Sequence, residues 1–222
     1  MHLNDISAGI SASIPIVASS IPIAVGIALS IKMKKENRIS VVFFGEAATE
    51  EGVFFESINF AQLNKLPILF VCENNKYSVY SNLEVRIPKN RDNCKIVNGF
   101  GVKNQKLDGT KFENNILKIN KIIKEVKKNS PYFLEISTYR YLEHCGPNND
   151  DYLNYRSKKE IKYWMKKDPI KKYRNELFTN KILNDKKFEL IKKNIDKEIE
   201  LAFNYAKNSN FPKYDLKKFL EF

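Results

Sequence analysis

The stretch FGEAATEEGVFFESINFAQLNKLPILFVCENN, residues 44–75, decides the fold. An apolar and aromatic strand, Val41 to Phe44, ends in Gly45-Glu46, and a helix with an acidic start follows. A second apolar strand, Leu66 to Cys72, ends in Glu73-Asn74-Asn75. Glu46 and Asn75 thus each sit just past the end of a predicted strand, which brings a carboxylate and a carboxamide to one edge of a sheet. Two hard oxygen donors at such an edge suit Mg²⁺ holding a diphosphate. Glu46 also suits the positive end of a helix, and Asn75 suits a left-handed turn, so the residues alone leave both readings open.

Outward from this unit the pattern keeps alternating. A helix rich in small residues is expected over about 22–35, a strand over 39–45, a helix over 50–64 and a strand over 66–73. Glu50 and Glu51 favour the start of the second helix, where Phe55, Ile58 and Gln62 recur on one side. An irregular basic segment, 76–95, and a short apolar piece, Ile96 to Val102, come next. Ile116, Ile119 and Ile123 give a helix of period 3.6 from Phe112 to Val126, and a strand is expected over 131–137. Alternation of helices with nearly continuous apolar strands predicts the α/β class, a parallel sheet flanked by helices. Beyond residue 155 the character changes. Ser157 and Glu160 are spaced as a capping box before Ile161, Trp164 and Met165, and charged amphipathic helices occupy 174–208. The expected organisation is an α/β domain over 1–155 and a helical C-terminal extension over 156–222.

Composition narrows the class further. In 222 residues, 43% hydrophobic content with 15 Phe and 11 Tyr describes a chain able to bury a core rather than a disordered one. The net charge of +12 comes from scattered lysines, without the aromatic interleaving of a nucleic-acid surface, so no nucleic-acid partner is expected. Cys72, Cys94 and Cys145 form no CxxC pair and leave an odd count, which suits reduced thiols in a cytoplasm. Residues 8–31 carry no charge and are long enough to span a bilayer. Pro15, Pro22, Gly26 and many Ser and Ala interrupt them, however, and no basic leader precedes them. A loop followed by a buried helix is expected there, and no membrane span.

The longer segment GEAATEEGVFFESINFAQLNKLPILFVCENNKYSVYS resembles the thiamine-diphosphate motif in the α subunits of 2-oxo acid dehydrogenase E1 components. That family includes the pyruvate, branched-chain 2-oxo acid and acetoin dehydrogenases. The likeness runs upstream through IVASSIPIAVGIALSIK and downstream through FLEISTYRYLEHCGPN to Lys167-Asp168-Pro169-Ile170. It is collinear from Met1 to about residue 175, and implies the thiamine-diphosphate-binding fold.

Carried over position by position, the resemblance implies that Glu46, Asn75 and the backbone carbonyl of Tyr77 hold Mg²⁺, which in turn holds the diphosphate. Many relatives have Asp where Glu46 stands; the longer side chain keeps the same oxygen chemistry. Ala47 and Ala48 follow at the cofactor. Ala47 replaces a common Gly, which requires a negative φ there. The main chain of Val17 is expected to face the aminopyrimidine ring, with Pro15 where a Gly is common. His144 is expected to face the thiazolium and to position substrate or a proton, work that suits imidazole. Leu142 replaces a further His, and Cys145 replaces a Ser that is phosphorylated in some relatives, so no such phosphorylation is expected. Arg140 is expected to buttress this loop.

The implied activity is oxidative decarboxylation of a 2-oxo acid with acyl transfer to a lipoyl or other acceptor. The implied partners are a β subunit in an α2β2 assembly, which supplies the Glu that activates the cofactor, and a lipoyl acyltransferase. Family α subunits carry further residues ahead of the position of Met1-His2, with groups that grip the diphosphate. A fragment, a split subunit or a reduced relative is therefore expected, inactive alone. The variant run Tyr141 to Asn148 also resembles a branch found beside surface-polysaccharide genes, which keeps a carboligase acting on sugars open. A non-catalytic assembly subunit is the third reading.

Overall fold

The computed structural model describes residues 3–211 and Lys213. Met1-His2, Pro212 and residues 214–222 of the expected extension lie outside the described residues. In chain order the elements are α1 (Ser20–Met33), β1 (Ser40–Gly45), a 3₁₀ turn (Glu46–Glu50), α2 (Gly52–Leu63), β2 (Ile68–Asn74), β3 (Tyr77–Ser78), β4 (Ser81–Asn82) and α3 (Leu83–Arg86). They continue with α4 (Asn93–Gly99), β5 (Lys103–Asp108), α5 (Phe112–Val126), β6 (Tyr132–Ser137), α6 (Lys158–Met165), α7 (Pro169–Thr179) and α8 (Asp185–Asn208).

The main sheet has the order β1-β2-β6-β5, all parallel, as the alternation of apolar strands and helices predicts. Side chains alternate between its faces. Val42, Phe44, Phe70, Cys72 and Phe133 enter one core with Ile21, Ala24 and Ala28 of α1, Phe54 and Ile58 of α2 and Val97 of α4. Leu69, Val71, Leu107 and Leu134 enter the other with Ile122 and Val126 of α5. Hydrophobic burial on both faces is what a parallel sheet requires. Two small residues, Ala24 and Ala28, let α1 lie against the sheet. At the open edge, Val41 and Phe43 of β1 stay exposed.

Three parts of the segment 76–108 differ from expectation. The expected irregular stretch contains a small hairpin, β3 with β4, and the single turn α3. The expected apolar piece Ile96 to Val102 is largely the end of α4, capped by the Asp92 side chain accepting from Lys95 N–H at 3.1 Å. The strand β5, KNQKLD, was not expected at all. It is an edge strand that buries only Leu107, so its sequence carries little hydrophobic alternation.

Helices α1 and α2 end alike. Lys35 (φ 54°) and Lys65 (φ 45°) are left-handed without being glycine. After α2, Lys65 N–H donates to Gln62 O at 3.1 Å and Leu66 N–H to Ala61 O at 3.0 Å; after α1, Lys35 and Glu36 repeat the pattern on Lys32 and Ile31. Both are Schellman caps.

The chain forms two compact units, one up to Pro169 and one from Ile170 on. In the first, Ser157 caps α6, accepting from Glu160 N–H at 3.1 Å, and Trp164 stacks on Tyr139 at 5.3 Å between ring centroids. In the second, Phe178 of α7 meets Phe188 of α8 edge-on, with Arg174 over both rings. No helix among the described residues is long and apolar enough to cross a membrane, and residues 8–19 form a loop ahead of α1.

Candidate functional site at the carboxyl edge of the sheet

Parallel pairing sets Gly45 opposite Glu73, so β1 and β2 leave the sheet side by side. Glu46 opens the 3₁₀ turn that follows β1. That turn is closed by the Thr49 hydroxyl donating to Glu46 O at 2.7 Å, and it touches the ends of β2 and β3. No residue of the turn has a positive φ, so Ala47 meets the requirement that its replacement of Gly imposes.

Glu46 is almost fully buried, at 2% exposure. A buried carboxylate needs a partner, and here Arg86 of α3 supplies it, bonding Glu46 with one guanidinium nitrogen and Glu50 with another. Arg91 donates to the Thr49 carbonyl, so the segment after β4 is tied to the turn at two points. Nothing in the sequence singles out Arg86, which stands in a basic stretch among many cations.

At the end of β2 the backbone makes two Asx turns in succession. Asn74 Oδ1 accepts from Lys76 N–H at 3.0 Å, and Asn75 Oδ1 accepts from Tyr77 N–H at 2.8 Å. Lys76 between them is left-handed, with φ 70°. Asn75 therefore does shape the turn, the role its type favours. Its carboxamide oxygen keeps a second lone pair, and the Tyr77 carbonyl is the next main-chain oxygen but one. Tyr77 itself is buried. Its hydroxyl donates to Glu160 of α6 at 2.9 Å, and burial followed by that carboxylate pushes the phenol well up.

A Glu carboxylate, an Asn carboxamide and a main-chain carbonyl are hard donors, the kind Mg²⁺ prefers, so the residues present fit such an ion. They contain only one member of the His, Cys, Asp and Glu group. Among the described residues no three of that group gather into a metal cluster.

His144 is exposed in the loop after β6, and its Nδ1 lies 3.5 Å from Arg140 Nη1. Arg140 reaches further, donating to the carbonyls of Leu142 and Val79 and to the Tyr155 hydroxyl, which donates to Asp150 at 2.6 Å. Tyr155 meets Tyr77 and Tyr80 edge-on. The loop bearing His144 is thereby packed on the hairpin that follows Asn75. Under it, Arg156 pairs with Asp150 in a fully buried contact. Asp150, Tyr155 and Arg156 escaped sequence reasoning because they act through packing. Val17 stays 59% exposed, next to a buried, left-handed Ala18 (φ 64°). Cys145 is exposed, while Cys72 and Cys94 are buried and free.

The model of the family described as "Dehydrogenase E1 component" matches residues 1–215. The chain is 32% identical over 216 residues to the pyruvate dehydrogenase E1 component subunit alpha of Rickettsia typhi, covering 97% of this chain and 65% of that protein. It is 31% identical over 174 residues to the 2-oxoisovalerate dehydrogenase subunit alpha of Bacillus subtilis, covering 76% of this chain and 51% of the relative. The chain thus spans about two thirds or less of the relatives it matches.

Proposed function

Because this chain belongs to the dehydrogenase E1 component family, we propose that it supplies the metal-and-diphosphate half of a thiamine-diphosphate site in an E1 α subunit. The assembled enzyme carries out oxidative decarboxylation of a 2-oxo acid and passes the acyl group to a lipoyl or other acceptor. The single observation that carries this reading is the convergence at the sheet edge. Gly45 opposite Glu73 brings the buried Glu46 carboxylate and the Asn75–Tyr77 turn out at the same end of neighbouring strands.

In this reading Glu46, Asn75 and the Tyr77 carbonyl hold Mg²⁺. The backbone at Ala47 and Ala48 would hold the diphosphate, and the main chain at Val17 would face the aminopyrimidine. When bound, thiamine diphosphate supplies the nucleophilic carbon and electron sink that decarboxylation needs. The chain's own part is to hold that group and shape its surroundings. To hold the metal, Glu46 would give up the Arg86 guanidinium, exchanging one cation for another. His144 then places the substrate or a proton, on a loop held by Arg140 and Tyr155. The remaining groups come from a β subunit, and from a lipoyl acyltransferase as acceptor, in a cytoplasmic assembly.

The test is a calorimetric titration of thiamine diphosphate with Mg²⁺ into the full chain, alone and with its candidate β subunit. Weak or no uptake is expected alone and measurable uptake with the partner, lost in Glu46→Ala and in Asn75→Ala. Affinity unchanged in both variants would sink the assignment.

A further inference from the structure

Glu135 is a carboxylate where the sheet has no evident need of one. It lies on β6 opposite Cys72, on the face that carries Phe70 and Phe133, and is 8% exposed. One oxygen, Oε2, is buried with no hydrogen-bond partner. The nearest cation, Lys106 Nζ, is 4.0 Å from the other oxygen and is itself half exposed. Burying such a group without full compensation costs stability, and an apolar side chain of similar size would avoid the cost. A carboxylate kept under these conditions calls for a specific partner.

That partner is Asn74. Its Nδ2 donates to Glu135 Oε1 at 2.9 Å, diagonally across the two strands. A free Asn amide can present either end to its neighbours. Glu135 accepts, so the amide nitrogen must face β6 and Oδ1 must face outward, where it accepts from Lys76 N–H. The Asn74 carbonyl is held as well, by Thr138 N–H at 2.9 Å. With Asn74 clamped on both ends, the chain enters the left-handed conformation at Lys76 (φ 70°), which is strained for a residue with a Cβ. Asn75 and Tyr77 follow at once.

We propose that Glu135 is a positioning residue for the 74–77 turn. Acting through the Asn74 amide, it fixes the direction in which Asn75 Oδ1 and the Tyr77 carbonyl meet a divalent cation. The cation part rests on the function proposed above; the clamp itself does not. Outer-shell partners of metal ligands typically alter affinity 10- to 100-fold when removed, about the size expected here.

Two variants separate positioning from mere stability. Glu135→Leu fills the space and removes the unpartnered oxygen but frees the Asn74 amide, whereas Glu135→Gln keeps an acceptor for it. By NMR, amide exchange at Lys76 and Tyr77 is expected to be at least about tenfold faster in Glu135→Leu and unchanged in Glu135→Gln, with Val71 in β2 as reference. With the candidate β subunit and thiamine diphosphate present, Mn²⁺ affinity followed by water-proton relaxation is expected to fall about tenfold in Glu135→Leu and to be retained in Glu135→Gln. Asn74→Asp should lose affinity, and Asn74→Asp with Glu135→Gln should regain it, since the new amide can donate to the new carboxylate. Unchanged exchange at Lys76 and Tyr77 in Glu135→Leu would overturn the clamp. Wild-type Mn²⁺ affinity in that variant, beside loss in Asn75→Ala, would overturn its role toward the cation alone. A wild-type complex that takes up no Mn²⁺ would overturn the function proposed above and the purpose assigned to the clamp with it.

Discussion

Glu46 illustrates how a single residue can be legible in chemical type and still hide its surroundings. Its carboxyl group and its place after a strand can be read in sequence, and they support an oxygen ligand at the sheet edge. Its guanidinium partner cannot be read, because Arg86 meets it only after the hairpin and α3 fold back over the turn. The pairing makes a measurable difference. Arg86→Met leaves a carboxylate that is 2% exposed without its cation, and a loss of about 3 kcal/mol is expected by urea denaturation. Glu46→Gln added to Arg86→Met should recover most of it, since the stranded charge is then gone. Saturating Mg²⁺ with thiamine diphosphate and the β subunit should also narrow the loss, if the metal takes the guanidinium's place. A stability equal to wild type in Arg86→Met without Mg²⁺ would show that Glu46 does not depend on this partner.

At the scale of elements, propensity and periodicity located the helices and strands wherever burial imposed a pattern. The helix Phe112–Val126 has the expected bounds, but the face it lays on the sheet is Ile119, Ile122 and Val126, and Ile116 of the expected stripe stays exposed. The edge strand β5 escaped notice because its stability comes from backbone pairing to β6, to which side-chain pattern is blind. Helix ends show the same division. A Gly is the usual mark of a Schellman cap, yet α1 and α2 end on lysines held left-handed by their tertiary setting. Lys65→Gly should therefore stabilise the chain by about 0.5–1 kcal/mol, the relieved backbone strain exceeding the added flexibility of the unfolded chain. Lys35→Gly should do the same. Chemical denaturation checks both, and a loss of stability in each would mean that the lysine stems contribute more packing than their caps cost in strain.

For the whole molecule, buried weak acids set the pH response. Burial, then Glu135, pushes the Cys94 thiol from 9.0 up to about 12, and burial with Glu135 raises Cys72 well above its usual range. Burial, then Glu160, pushes the Tyr139 phenol up to about 12. A raised acid holds its proton longer in the folded state than in the unfolded one. Its contribution is therefore complete below the unfolded value, near 9 for the thiols, and is lost as pH rises toward 12. Urea midpoints should hold level up to about pH 8 and fall steadily above 9, less steeply in Cys94→Ala; a midpoint that rises across that range would contradict the assignment. What the sequence alone determined was the α/β class, the parallel unit around residues 44–75 and the kinds of atoms at its edge. Those follow from local periodicity and side-chain chemistry. What only the tertiary structure decided was which groups face them: Arg86 on Glu46, Glu135 on Asn74, and the Val79 carbonyl on Arg140 behind His144. Such contacts join positions far apart along the chain, and they arise from chain reversal and strand register, which no local pattern records.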